Sequence, residues 1–204
     1  MIKLYFAPRS RAVRVAWLLE EMGLSYELVT YKLGDPIMRS AAFRNKVHPM
    51  GRVPVLVDKG VQIMESGAIL EYLLTRHGDG RFRPSTDSPD YPNYLQWLHY
   101  SEGMLMPQVN SYMVETTFLP PERQSETRAK RARKLLGQML VPVNTALRGR
   151  EYLAGEFSAA DIMTGSAAIT ARGIGIEMDD LPDLAAYVAR LETRQAYRTA
   201  AALH

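Results

Sequence analysis

The sequence predicts two domains of different class: a small α/β unit over residues 1–78, a linker over 79–90, and an all-helical domain over 91–204. Three observations predict it. Strand-like and helix-like apolar periods alternate through the first 78 residues. Residues 78–92, GDGRFRPSTDSPDYP, concentrate prolines and turn formers as an interdomain linker does. Beyond them no strand pattern appears, and apolar residues recur at helical spacing.

Each element follows from its own residues. IKLYF at 2–6 alternates weakly and reads as a strand. From Ser10 onward Ala12, Val15, Ala16, Leu19 and Met22 share one helical face, and Gly23 is the stop. Tyr26 to Tyr31 is strand-like, and 37–47 reads as a short helix or irregular chain. Pro54–Val57 and Val61–Met64 form a hairpin across Asp58-Lys59-Gly60. Glu65-Ser66 then opens a helix carrying Ile69, Leu70, Leu73 and Leu74. The second domain holds helices over 91–114, 122–148, 158–172 and 183–201, with Pro107 kinking or ending the first and Pro142 disturbing the second. In FSAADI, 157–162, Ser158 and Asp161 fit a capping box and Phe157 with Ile162 its hydrophobic staple, a signal for folding rather than chemistry.

Composition narrows the function classes. At 204 residues, 47% hydrophobic and 23% charged, the chain is an ordinary globular protein. Its formal charge of +3 is too small to argue for nucleic acid. The basic residues Arg123, Arg128, Lys130, Arg131, Arg133 and Lys134 are interleaved with alanine and read as a solvated helix face. No apolar run approaches the roughly 18 residues of a membrane span, and MIKLYFAPRS is a poor signal peptide, so no membrane partner and a cytoplasmic location are expected. With no cysteine, the chain has no disulfide, no thiolate metal site and no thiol redox chemistry of its own. The four histidines, 48, 77, 99 and 204, lack metal-ligand spacing, and no metal is expected.

The chemistry concentrates in residues 52–66, RVPVLVDKGVQIMES. A cis proline after the β-branched Val53 is one way to hold a strand edge open for a peptide to pair with. A serine at a helix start, preceded by a carboxylate, can hold both ends of an amino-acid head group. Pro54, Glu65 and Ser66 together suit a small peptide that carries its own α-amino and α-carboxylate groups.

Gly51-Arg52-Val53-Pro54-Val55-Leu56, Glu65-Ser66-Gly67-Ala68-Ile69 and Ala154-Gly155-x-x-Ser158-x-x-Asp161, in this order, resemble the glutathione transferase family over essentially the whole chain. The stretch Ser10 to Leu19, with Tyr26-Glu27 and His48-Pro49-x-Gly51-Arg52, is similar to a bacterial and fungal subgroup of serine or tyrosine type. The resemblance implies a thioredoxin-like N-terminal domain, an all-α C-terminal domain, a homodimer and glutathione as co-substrate. It also implies conjugation of the glutathione thiolate to a small hydrophobic electrophile, a detoxification chemistry.

The roles it implies map onto named residues. Val53 would pair its backbone with the cysteinyl part beside Pro54. Glu65 would take the γ-glutamyl ammonium, and Ser66 with the helix N-terminus the carboxylate. Arg52 and His48 are candidates for the glycyl carboxylate, with Lys46 and Lys32 behind them. Glu102 would reach across a dimer to the neighbour's glutathione, while Met104 and Tyr112 would line the acceptor pocket. Ser10 is the first choice to stabilise the thiolate, against its ordinary role as a helix cap. Tyr5, Arg9 or a backbone amide are alternatives, because serine-type relatives carry their hydroxyl where this chain has Ala7 and Pro8. A glutathione-dependent peroxidase on the same scaffold and a non-catalytic glutathione-binding protein are the rival functions.

Overall fold

A computed structural model describes residues 1–204. The first seven elements are β1 (Ile2–Phe6), α1 (Ala12–Met22), β2 (Tyr26–Thr30), α2 (Ala41–Lys46), β3 (Val55–Asp58), β4 (Val61–Met64) and α3 (Ser66–His77). They build one mixed sheet in the order β2-β1-β3-β4, with β1 and β2 parallel and the other two pairings antiparallel. Ile2, Leu4 and Phe6 are buried, while Lys3 and Tyr5 alternate onto the less buried side, as the two-residue period of a strand requires. α1 and α3 pack on each other and on the sheet through Val15, Ala16, Leu19, Ile69, Leu70 and Leu73, all fully buried. This is the thioredoxin-like arrangement.

Local chemistry sets the boundaries. α1 stops where Gly23 takes φ +67, a left-handed conformation that costs glycine nothing, and its N–H returns to the Glu20 carbonyl. The ambiguous stretch 37–47 resolves into a tight turn over Pro36–Arg39 followed by α2, which Ser40 caps by accepting the Phe43 N–H. Lys59 and Gly60, both at positive φ, close the hairpin from Asp58 to Val61.

The remaining helices are α4 (Tyr91–Tyr100), α5 (Met106–Met113), α6 (Glu126–Ala146), α7 (Ser166–Gly173), α8 (Pro182–Thr193) and α9 (Gln195–Ala201). Three departures from the sequence expectation have physical causes. Pro107 does not end the first helix. A wide turn over Ser101–Leu105, in which the Met106 N–H reaches back five residues to Ser101, gives the ring room, and helical chain continues to Phe118. Pro142 does not break α6 either, because Ala129, Ala132, Leu136, Leu140 and Val143 bury a continuous stripe on both sides of it. The single helix expected over 183–201 is two, parted at Arg194, whose ψ of 128° is extended.

The chain divides into two compact units, Met1–Arg81 with Glu192–His204, and Phe82–Leu191. The last helix, expected with the helical domain, thus belongs to the first unit. The Arg194 guanidinium grips both Glu21 oxygens at 2.6 and 2.9 Å, and the Tyr197 ring meets the edge of Trp17 at 4.9 Å. In the second unit Asp161 is fully buried and accepts the N–H groups of Leu153 and Ser158 and the hydroxyls of Ser158 and Tyr187. The Asp161 half of the capping box is therefore present, while the Ser158 hydroxyl donates to the carboxylate instead of accepting an amide. No helix is long and apolar enough to cross a membrane.

Candidate functional site

The site assembles at the end of the sheet where β1 runs into α1. The antiparallel register pairs Tyr5, next to the last residue of β1, with Val55, the first residue of β3. β3 begins only at Val55, so the Val53 backbone lies beyond the paired ladder. The Val53–Pro54 peptide is cis, as expected.

β4 delivers the chain to Glu65, which has φ +72 and ψ 115 although it is not glycine. Such a conformation costs about 1–3 kcal/mol and gathers at functional sites. It leaves the Glu65 carboxylate exposed at the N-terminus of α3, while Ser66 turns inward and is only 3% exposed. The first amides of α3 have no partner within the helix and carry the positive end of its dipole. Behind Ser66 stands a residue that sequence reasoning missed. Arg14, on α1 and 2% exposed, donates from Nη1 to the Ser66 Oγ at 3.3 Å. The signal was available: an arginine interrupts the otherwise apolar run Val13–Leu19, and a cation in a buried helix face requires polar company.

The loop between α2 and β3 forms the other wall. His48 is buried, its Nδ1 accepts the Met50 N–H at 3.1 Å, and its carbonyl accepts the Gly51 N–H at 2.8 Å. Burial, the largest influence, lowers the His48 pKa below its ordinary value; Glu65 opposes that and Arg52 adds to it. His48, Arg52 and Glu65 therefore act on one another. Gly51 has φ +65, and a Cβ there would lie 2.2 Å from the Met38 carbonyl oxygen, so only glycine lets the loop close against the 36–39 turn. Arg52, just beyond, is exposed. Lys46 and Lys32 are exposed on neighbouring chain.

Of the two side chains considered for thiol activation, Ser10 has its hydroxyl engaged and Tyr5 its ring stacked. The Ser10 Oγ donates its one proton to the Ala7 carbonyl at 2.7 Å and accepts the Ala12 N–H at 3.1 Å, the bonding of a helix-start cap. The Tyr5 ring stacks on Tyr31, centroids 6.5 Å apart, and Tyr31 meets Phe43 of α2 edge-on at 5.2 Å. Arg9, between them in sequence, is exposed at φ +60.

In the second unit Glu102 and Met104 lie on the wide turn between α4 and α5. Glu102 is half-buried, and Met104 is exposed. Tyr112, half-buried near the end of α5, accepts the Thr116 hydroxyl through its carbonyl. No three His, Asp or Glu side chains converge in an arrangement that suits a metal ion.

Taken together, the first unit offers an unpaired strand edge at Val53, an anion-seeking helix start with Arg14 and Ser66, an exposed carboxylate at Glu65 and a cation at Arg52. That set complements a short peptide bearing one ammonium and two carboxylates.

Comparison with known proteins agrees. Residues 1–75 match the glutathione S-transferase N-terminal domain. Glutathione S-transferase 3 of Schizosaccharomyces pombe is 34% identical over 173 residues, 79% of this chain and 70% of that protein. A glutathione transferase family member from Pseudomonas fluorescens, solved with two glutathione bound, superposes with a TM-score of 0.87 at 25% identity, covering 98% of this chain and 92% of the other. A Pseudomonas putida glutathione transferase with one glutathione disulfide bound per subunit has a TM-score of 0.88 at 24% identity over 99% and 91% of the two chains, a likeness of fold. On its residues, its architecture and these likenesses, the chain is a transferase and belongs to the glutathione transferase family.

Proposed function

We propose that the protein binds glutathione along Arg52–Ser66 and transfers its sulfur to small hydrophobic electrophiles. The observation that carries this reading is the Arg14–Ser66–Glu65 group at the start of α3 beside the open Val53 edge. Val53 pairs with the cysteinyl backbone, Glu65 holds the γ-glutamyl ammonium, and Ser66 with the α3 amides holds the adjacent carboxylate. Arg14 donates to the Ser66 oxygen and so sets a buried cation behind that carboxylate. Arg52 faces the glycyl carboxylate.

A cysteinyl sulfur paired at Val53 lies next to the Ala7–Arg11 turn, given the register. A free thiol is only about 3% ionised at pH 7, and lowering its pKa by about two units takes roughly 2.7 kcal/mol of selective anion stabilisation. The turn has Arg9 and Arg11, the α1 dipole and the Ser10 hydroxyl to supply it. Ser10 contributes once its proton leaves the Ala7 carbonyl for the thiolate. The thiolate then attacks an electrophilic carbon. A C–S bond forms, and either a leaving group departs with its electron pair or the resulting carbanion takes a proton from water. Met104 and Tyr112 line the acceptor side, and Glu102 completes the site of a second subunit in a homodimer in the cytoplasm.

The reading is tested by titrating glutathione into the protein and assaying turnover with aryl halides, enones and hydroperoxides. Binding with conjugation of the first two is the expected result, and no binding at millimolar glutathione overturns the reading. Turnover of hydroperoxides alone identifies a peroxidase. One observation favours a second reading: because the Ser10 proton is committed to Ala7, binding without turnover identifies a non-catalytic glutathione-binding protein. Ser10→Ala, followed by the ultraviolet absorbance of bound thiolate, separates the two. A raised thiol pKa is expected, and an unchanged one moves the role to Arg9 or the backbone.

A further inference from the structure

We propose that neutral His48 is a positioning residue that holds the loop presenting Arg52 and Val53, so that acid opens the loop and weakens glutathione binding. The inference rests on the glutathione reading above and adds a pH limit to the same site.

The geometry dictates the protonation state. A backbone N–H can only donate, so the Met50 N–H on Nδ1 at 3.1 Å requires a lone pair there. The imidazole is therefore neutral, with its proton on Nε2. Protonation sets a second hydrogen on Nδ1 against the Met50 hydrogen and converts an attraction into a donor–donor clash. His48 is only 7% exposed, so the ring has little access to water. The backbone has little slack. The His48 N–H is bound to the Phe43 carbonyl at the end of α2, its carbonyl accepts Gly51, and Gly51 sits against Met38 with no room even for a Cβ. On the β4 side, the Gln62 amide holds the Val47 carbonyl at 3.0 Å. The remaining outlet for the clash is forward along the chain, into Arg52 and Val53.

The groups acting on His48 are Glu65 and its own backbone carbonyl, which favour the cation, and Arg52, which disfavours it; burial is the largest influence and keeps the ring neutral to lower pH than a free histidine. Simple attraction makes the opposite prediction. A histidine cation beside a glycyl carboxylate would tighten binding as pH falls. The sign of the pH dependence therefore separates a loop-holding role from direct ion pairing. The carboxylates and ammonium of glutathione are silent in this window, titrating below about 5 and above about 7.5, but a bound thiol lowered by about two units is not, so the ligand used is S-methylglutathione, whose sulfur carries no proton.

The experiment measures S-methylglutathione affinity by calorimetry from pH 7.5 to 5.0 for the whole protein and for His48→Asn, whose amide oxygen can accept the Met50 N–H without titrating. The wild-type Kd is expected to rise once the pH falls below the lowered His48 pKa, which lies under that of a free histidine, approaching tenfold per pH unit there. His48→Asn, from its own baseline, is expected to be flat. A wild-type affinity that is flat or increases toward pH 5.0, or an acid loss that persists in His48→Asn, overturns the proposal. Exchange of the Met50 amide in the ligand-free protein tests the loop independently of glutathione. Its protection should collapse over the same pH range in wild type only, and protection unchanged to pH 5.0 likewise overturns the proposal. No affinity at pH 7.5 refutes the glutathione reading instead, and the Met50 exchange then decides the loop's behaviour alone.

Discussion

Replacing Ser66 by alanine removes one oxygen from the centre of the proposed site, and the structure says what each of its bonds contributes. On the ligand side, the hydroxyl gives its proton to the γ-glutamyl carboxylate. Hydrogen bonds to a charged group contribute about 1.5–3 kcal/mol, a rise in glutathione Kd of about 10- to 150-fold. On the protein side, Arg14 Nη1 loses its acceptor at 3.3 Å in a site where Arg14 is 2% exposed. Losing one hydrogen bond to a charged group costs about 1.5–3 kcal/mol, so the melting temperature should also fall. Calorimetry at pH 7.5 measures the first effect and thermal unfolding without ligand the second. Arg14→Gln closes a double-mutant cycle. If arginine acts through the serine, the two affinity losses are less than additive by about 0.5–3 kcal/mol. A glutathione analogue lacking the γ-glutamyl α-carboxylate should bind wild type and Ser66→Ala alike. The reasoning is refuted if Ser66→Ala binds glutathione within about threefold of wild type, a difference under about 0.7 kcal/mol.

Gly51→Ala should cost about 2 kcal/mol or more, since the new Cβ meets the Met38 carbonyl oxygen at 2.2 Å on a backbone at φ +65, and glutathione affinity should fall with it; a normal denaturation midpoint would show that the loop has slack. Asp161→Ala leaves the buried Leu153 and Ser158 amides without their acceptor, a loss of about 2–6 kcal/mol in urea unfolding, and a loss below about 1 would mean that other acceptors are within reach. The Asp58 carboxyl accepts from His77 at 2.7 Å, and that hydrogen bond, the largest influence, holds its pKa below the ordinary value. A carboxyl depressed on folding stabilises the protein above its unfolded value of about 3.9, and that contribution disappears as pH falls through the folded value. The stability advantage of wild type over Asp58→Asn should thus be constant near pH 6 and shrink below pH 4; an advantage unchanged at pH 3 contradicts the assignment.

The parts of the candidate site to which the sequence pointed are local. Glu65 and Ser66 are adjacent at one helix start, Val53 and Pro54 adjacent at one strand entry, and the hairpin between them has a turn length set by Lys59-Gly60. The element order up to His77 was equally legible, because a change of apolar period marks each boundary. Arg14 was not, because its partner is 52 residues away and only the packing of α1 on α3 brings the two together. Ser10 was legible as a hydroxyl at a helix start, but the direction of its proton depends on the Ala7 carbonyl, which no spacing rule supplies. The split between α8 and α9 was invisible for a similar reason. Its helical periodicity is continuous, and Arg194 leaves the helix to reach Glu21, 173 residues away.

By itself the sequence determined the family and the α/β-then-helical order, since these depend on residue type and short spacing. Tertiary structure alone decided that a buried arginine donates to Ser66, that the His48 ring accepts the Met50 amide, and that the last helix returns to the first unit. Each of those is a contact between distant segments or a choice of which lone pair and which proton face each other. Hydrogen-bond direction and burial arise only once the chain has closed on itself.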